Sequence, residues 1–114
     1  MKNSGALAEQ LAAQYLQKQG LKLVQTNYRT RYGEIDLILQ DAGVLVFAEV
    51  RLRSNAAFGG AAASIDARKQ AKLLKTAQIY LSGLKQIPPC RFDAVLMPSA
   101  ELSQIQWIKS AFTA

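Results

Sequence analysis

The strongest constraint on the fold is a pair of β-rich runs, residues 34–40 (EIDLILQ) and 44–53 (VLVFAEVRLR), closed around a short Asp41-Ala42-Gly43 turn. Branched and aromatic runs that meet at so short a turn form a hairpin. Side chains alternate across a strand. On that rule Ile35, Leu37 and Leu39 share one face of the first arm, and Glu34, Asp36, Ile38 and Gln40 share the other. In the second arm Val46, Ala48, Val50 and Leu52 oppose Leu45, Phe47, Glu49, Arg51 and Arg53. One hairpin face is wholly apolar and belongs to a core. The other becomes charged only at the end away from the turn.

Register follows, because a slip of one residue would bring carboxylates of one arm among apolar groups of the other. Matching the faces places Asp36 beside Glu49 and Glu34 beside Arg51. Directly opposed side chains have Cβ atoms about 4.5–5.5 Å apart. Two carboxylates that close repel, and one tends to keep a proton. A divalent cation removes the conflict, and hard oxygen donors in a small cluster suit Mg²⁺ or Mn²⁺. The alternative is a solvated charged face in which Arg51 or Arg53 bridges the acids.

The rest of the chain reads as an α/β domain spanning residues 1–114. Leu7, Leu11, Tyr15 and Leu16, with Ala8 and Ala12, mark a helix over 4–19, and Gly20 sits just past its end. A weakly patterned strand covers 21–29. Residues 54–63 (SNAAFGGAAA) form a loop whose Phe58 anchors it to the core or serves as a wedge. Ser64 is a candidate N-cap for a helix running to Ser82 and ended by Gly83. Pro88-Pro89 mark a break. Strands follow over 91–97 and 104–109, and Ala111-Phe112 start a last short turn. The predicted order is helix, three strands, helix, two strands.

Composition narrows the chemistry. Fourteen Lys and Arg against eight Asp and Glu leave a net charge of +6, which points to an anionic partner, nucleic acid first. There is no histidine, so Ser-His-Asp and Cys-His catalysis and a His base are excluded. A lone Cys90 makes no internal disulfide and no cysteine zinc site, and suits a reducing cytoplasm. No run approaches the roughly 20 apolar residues that span a bilayer, and the N-terminus does not read as a signal peptide. The cations cluster near the hairpin's acidic end. They are Arg51, Arg53, Arg68, Lys69, Lys72 and Lys75, with Arg68, Lys72 and Lys75 on one helical ridge. Tyr28-Arg29-Thr30-Arg31-Tyr32 adds two cations interleaved with two aromatics. A basic rim around an acidic centre is the pattern of a phosphodiester cleft.

Taken in order, these pieces resemble the bacterial YraN-like family, uncharacterised protein family 0102. They are Gly33-Glu34-Ile35-Asp36-Leu37-Ile38, Leu45-Val46-Phe47-Ala48-Glu49-Val50-Arg51, Arg53, Phe58-Gly59, Asn27-Tyr28-Arg29 and Arg91-Phe92-Asp93. Gly5, Ala8-Glu9, Ala12 and Tyr15-Leu16 of the first helix agree, as do Lys69, Ala77 and Tyr80-Leu81 of the second. The resemblance implies a restriction-endonuclease-like fold similar to archaeal Holliday-junction resolvases, with a central mixed sheet of about five strands flanked by helices. It also implies a metal-dependent nuclease pattern, an Asp and then Glu-x-Lys on the next strand. Carried over by position, Asp36, Glu49 and the Val50 carbonyl are metal ligands, and Glu34 and Glu9 support the centre. The usual Lys is Arg51 here. Arginine holds a phosphate but is no general base. Resolvase-like proteins act as symmetric dimers, so a homodimer is a further expectation.

Three functions therefore stand at this point. The first is a Mg²⁺- or Mn²⁺-dependent nuclease or nuclease-like protein acting on DNA, branched DNA included. The second is a non-catalytic nucleic-acid-binding module of the same fold. The third is a protein-interaction domain that kept only the scaffold.

Overall fold

A computed structural model describes residues 3–52, 65–97 and 105–112. The elements run α1 (Asn3–Lys18), β1 (Lys22–Thr30), β2 (Gly33–Asp41), β3 (Val44–Leu52), α2 (Ala67–Ser82), β4 (Cys90–Met97) and β5 (Gln106–Phe112). The five strands form one sheet in the order β1-β2-β3-β4-β5. All neighbours are antiparallel except β3 and β4, which pair in parallel. A parallel pair needs a long crossover, and the segment carrying α2 supplies it. The mixed α/β sheet flanked by helices, and the order of elements, match the sequence reading.

The β2–β3 hairpin has the expected register, with Leu37 opposite Ala48, Ile38 opposite Phe47 and Asp41 opposite Val44. Its two turn residues, Ala42 (φ 51°) and Gly43 (φ 91°), both lie in the left-handed region. Positive φ at both central positions suits the right-handed twist of the flanking strands.

The helices cover opposite sides of the sheet. Ala8, Ala12, Ala13 and Leu16 of α1 pack with Leu37, Leu39, Val46, Ala48, Val95 and Met97. Small residues let α1 lie close to the strands. Leu7, expected on that face, is exposed. Leu73 and Ala77 of α2 pack with Ile38, Leu45, Phe47, Phe92 and Ala94 on the other side. There Phe47 and Phe92 stack at 5.4 Å, and Phe92 and Phe112 at 4.8 Å.

Three further expectations are corrected. The cap of α2 is Asp66, whose side chain accepts the Lys69 N–H, rather than Ser64; a carboxylate suits the positive helix end. Ala111-Phe112 continue β5 instead of starting a turn, because Phe112 still pairs with Phe92 across an irregularity in the ladder. Strand alternation also breaks at Asp36. Leu37 and Leu39 pack with α1, but Ile35 packs with the α2 side. The partner strand explains the break. Thr26 pairs with Leu37 and Tyr28 with Ile35, and Asn27 between them sits at φ 51°. One left-handed residue turns the strand over, and Asp36, opposite it, turns with it.

A polar knot ties β4 to β5 and to the end of β2. Asp93 is fully buried. It accepts from Arg91 Nε (3.0 and 3.2 Å), Trp107 Nε1 (3.0 Å) and the Ser110 N–H (3.0 Å). Arg91 also donates to Asp41 at 2.9 Å.

Candidate metal centre and nucleic-acid interface

The break at Asp36 lies at the hairpin end away from the turn, near the carboxyl end of β3. Here the Asp36 side chain replaces a backbone partner, since the Val50 N–H donates to Asp36 Oδ2 at 2.8 Å. That bond draws Asp36 toward β3 and Glu49. Glu49 is 4% exposed and its Oε1 is buried without a hydrogen-bond partner. Its Oε2 faces Lys69 Nζ of α2 at 3.2 Å and Arg51 at 3.6 Å.

Electrostatics records the crowding. The Asp36 carboxyl is pushed from 3.8 up to about 8, first by burial and then by the negative charge of Glu49. The Val50 N–H pulls the other way, while Glu9 and a shared hydrogen bond with Glu49 push further up. Two acids so placed share a proton or take up a cation.

Glu9 and Glu34 form an outer pair joined by one amide. Asn27 Nδ2 donates to Glu9 Oε1 (2.9 Å) and to Glu34 Oε2 (3.0 Å). Arg29 also reaches Glu34 Oε2, at 3.3 Å. The expected pairing of Glu34 with Arg51 is therefore replaced by Asn27 and Arg29, because the strand turns over at Asp36. Among the described residues, no three acidic side chains close on a single point as a complete metal cage.

The donor set fits Mg²⁺ nonetheless. That ion is held by one or two carboxylates and keeps several waters. Asp36 and Glu49 supply two carboxylates, and Glu49 Oε1 is a buried acceptor left over by the Lys69 and Arg51 contacts, which both go to Oε2. The structure thus brings together Asp36, Glu49, Arg51 and Lys69, with Val50 beside them, and sets Glu9 and Glu34 alongside.

The cations divide into groups. Lys69 is half-buried at the acids, and Arg68, Lys72 and Lys75 are exposed along α2. The β1–β2 turn docks against the same helix. Gly33 permits this, since a Cβ there would lie 3.3 Å from Thr76 Oγ1 and 3.5 Å from Lys72 Cβ. Thr30 and Thr76 hydroxyls meet at 3.3 Å. The turn carries Tyr32, whose ring has Arg31 at 5.1 Å and Lys75 at 5.3 Å. Arg29, Arg31, Lys72 and Lys75 thus share one end of the molecule with the acids. Arg53, the loop 54–63 with Phe58, and Ser64 lie outside the described residues. Tyr28 is half-buried and packs edge-on against Tyr80 at 5.1 Å, at the edge of the core. Cys90 donates to the Pro88 carbonyl, and burial pushes its thiol up, away from the reactive thiolate.

Sequence reasoning gave Asn27 no site role. Its one legible signal is an Asn, a residue that tolerates positive φ, inside a strand. Lys69 was read only as part of the basic rim, and its contact with Glu49 depends on how α2 lies across the sheet.

Comparison with known proteins agrees over nearly the whole chain. It is 54% identical over 110 residues to a UPF0102 protein of Nitrosomonas europaea, covering 96% of this chain and 93% of that one. It is 51% identical over 114 residues to a UPF0102 protein of Methylobacillus flagellatus, covering 100% of both. A UPF0102 protein of Psychromonas ingrahamii is 50% identical over 110 residues, which cover 96% of this chain and 89% of its own. The stretch from Ala8 to Met97, holding both strands of the acidic pair and the helix that faces them, matches the model of uncharacterised protein family UPF0102, and the chain belongs to that family.

Proposed function

We propose that this protein is a metal-dependent nuclease-like protein acting on DNA, branched DNA included. The observation that carries the reading is the Asp36–Glu49 pair: two acids from adjacent strands converge at the open end of a hairpin, and Glu49 Oε1 is buried without a donor. Asp36 and Glu49, with the Val50 carbonyl, are the groups that would hold Mg²⁺ or Mn²⁺. Such an ion supplies Lewis-acid activation of a phosphodiester and a more acidic bound water.

The surrounding residues have separate tasks. An arginine is no general base, so the task of Arg51 is to hold a phosphate. Glu9 and Glu34, tied by Asn27, give the centre a further acidic wall. Arg29, Arg31, Arg68, Lys72 and Lys75 neutralise the sugar-phosphate backbone on either side. The resemblance to restriction-endonuclease-like folds supports the same assignment.

The test is a cleavage screen with Mg²⁺ and Mn²⁺ over linear, flapped and four-way DNA, with Asp36→Ala and Glu49→Ala as controls. Metal-dependent products that both variants abolish are expected, with DNA affinity kept. A second reading has its own support: Arg51 stands where the resemblance expects Lys, and Glu49 already has two cationic neighbours. It is a binding module without turnover. Steeply salt-dependent DNA binding with no products from any substrate would select it.

A further inference from the structure

We propose that Lys69 is an exchangeable counter-ion: its ammonium holds the cation's place at Glu49 in the metal-free protein and turns to a substrate phosphate when a divalent cation is bound. This rests on the metal centre proposed above and adds the residue that couples metal and substrate there.

The need for a counter-ion comes from burial. Glu49 is 4% exposed, and an unpaired buried carboxylate is costly. Among the described residues of its own hairpin, Arg51 stands 3.6 Å from Glu49 Oε2 and Asp36 shares a hydrogen bond with Glu49. Lys69 reaches in from the other side, with Nζ at 3.2 Å from Glu49 Oε2.

Lys69 is also built to let go. Its backbone is pinned, because its N–H donates to the Asp66 cap at 2.9 Å. Its side chain is 35% exposed, so the head can swing into solvent on a flexible four-carbon stem while the Cα stays fixed. Its immediate neighbours on the helix are the exposed cations Arg68 and Lys72. An ammonium released from Glu49 joins that row, where a phosphate would lie. The two positions exclude each other: at Glu49 the ammonium competes with a metal ion, and at the phosphate it adds to substrate binding. Metal and DNA therefore bind with positive coupling. An Arg at the same place keeps the competition, and a neutral side chain removes it.

Mn²⁺ titration of the full chain by calorimetry tests this, at 0.15 and 0.5 M salt and without DNA, on the native protein and on Lys69→Met, Lys69→Arg, Lys85→Met and Asp36→Ala. Circular dichroism confirms that each variant is folded. Lys69→Met is expected to bind Mn²⁺ about fivefold tighter than the native protein, the worth of one partly exposed ion pair. The gain should survive at 0.5 M salt, where longer-range charge effects are screened. Lys69→Arg and Lys85→Met should stay near the native affinity. With a short duplex present, the tightening of Mn²⁺ binding by DNA should shrink in Lys69→Met. Unchanged or weaker Mn²⁺ binding in Lys69→Met, with binding lost in Asp36→Ala, overturns the counter-ion role alone. Equal Mn²⁺ binding by the native protein and Asp36→Ala overturns the metal centre itself.

Discussion

Asp36 shows how far one residue's surroundings can move its chemistry. Its carboxyl keeps its proton to about pH 8 in the folded chain, against 3.8 as an ordinary side chain. The folded state therefore binds more protons than the unfolded one between those values. Stability contributed by this group is full below about pH 4 and is lost as pH rises through 8. Denaturant melts of metal-free protein should show a falling midpoint across that window, and Asp36→Asn should flatten it. Added Mg²⁺ should restore stability most at the alkaline end. Asp93 is the contrasting buried acid, fully satisfied by Arg91, Trp107 and Ser110. Asp93→Ala should cost about 3–5 kcal/mol in urea unfolding, since it leaves a guanidinium and two N–H donors short of a partner. The pairing of Asp36 with Glu49 was legible from alternation and register. The role of Asn27 was not, because alternation assumes every strand residue has extended backbone.

At the scale of elements, the hairpin and α2 set the site's geometry. The β2–β3 turn places Ala42 at φ 51°, a conformation that disfavours side chains with a Cβ. Ala42→Gly should raise stability by roughly 0.5–1 kcal/mol, the strain relieved less the added chain entropy, as read from thermal or urea melts. At α2, Asp66→Ala should cost about 1 kcal/mol through loss of its cap bond. It should also loosen the turn that carries Lys69. The register of the hairpin was open to inference because a shift by one residue exposes apolar groups on both arms. The capping residue was missed because Ser64 and Asp66 both suit an N-cap, and only the position of the helix chooses between them.

For the whole molecule, the net charge of +6 is uneven in effect, because the exposed cations of α2 and the β1–β2 turn gather beside half-buried Asp36 and buried Glu49. DNA affinity should fall steeply with salt, as counterion release requires. Charge reversal at Arg68, Lys72 and Lys75 together should lower affinity at least tenfold and flatten that salt slope, as fluorescence anisotropy would record. Helix α1 with its small-residue face and α2 with its capped start clasp opposite faces of the sheet. No helix among the described residues is long and apolar enough to cross a membrane.

The amino-acid order alone determined the seven elements and their succession, the hairpin register, and which two acids meet. Those properties follow from local periodicity and from the cost of exposing apolar faces. Tertiary structure decided where the strands turn over, that Asn27 joins Glu9 to Glu34, and that Lys69 reaches Glu49. Each of these depends on the placement of one element against another, a distance in space that no spacing along the chain encodes.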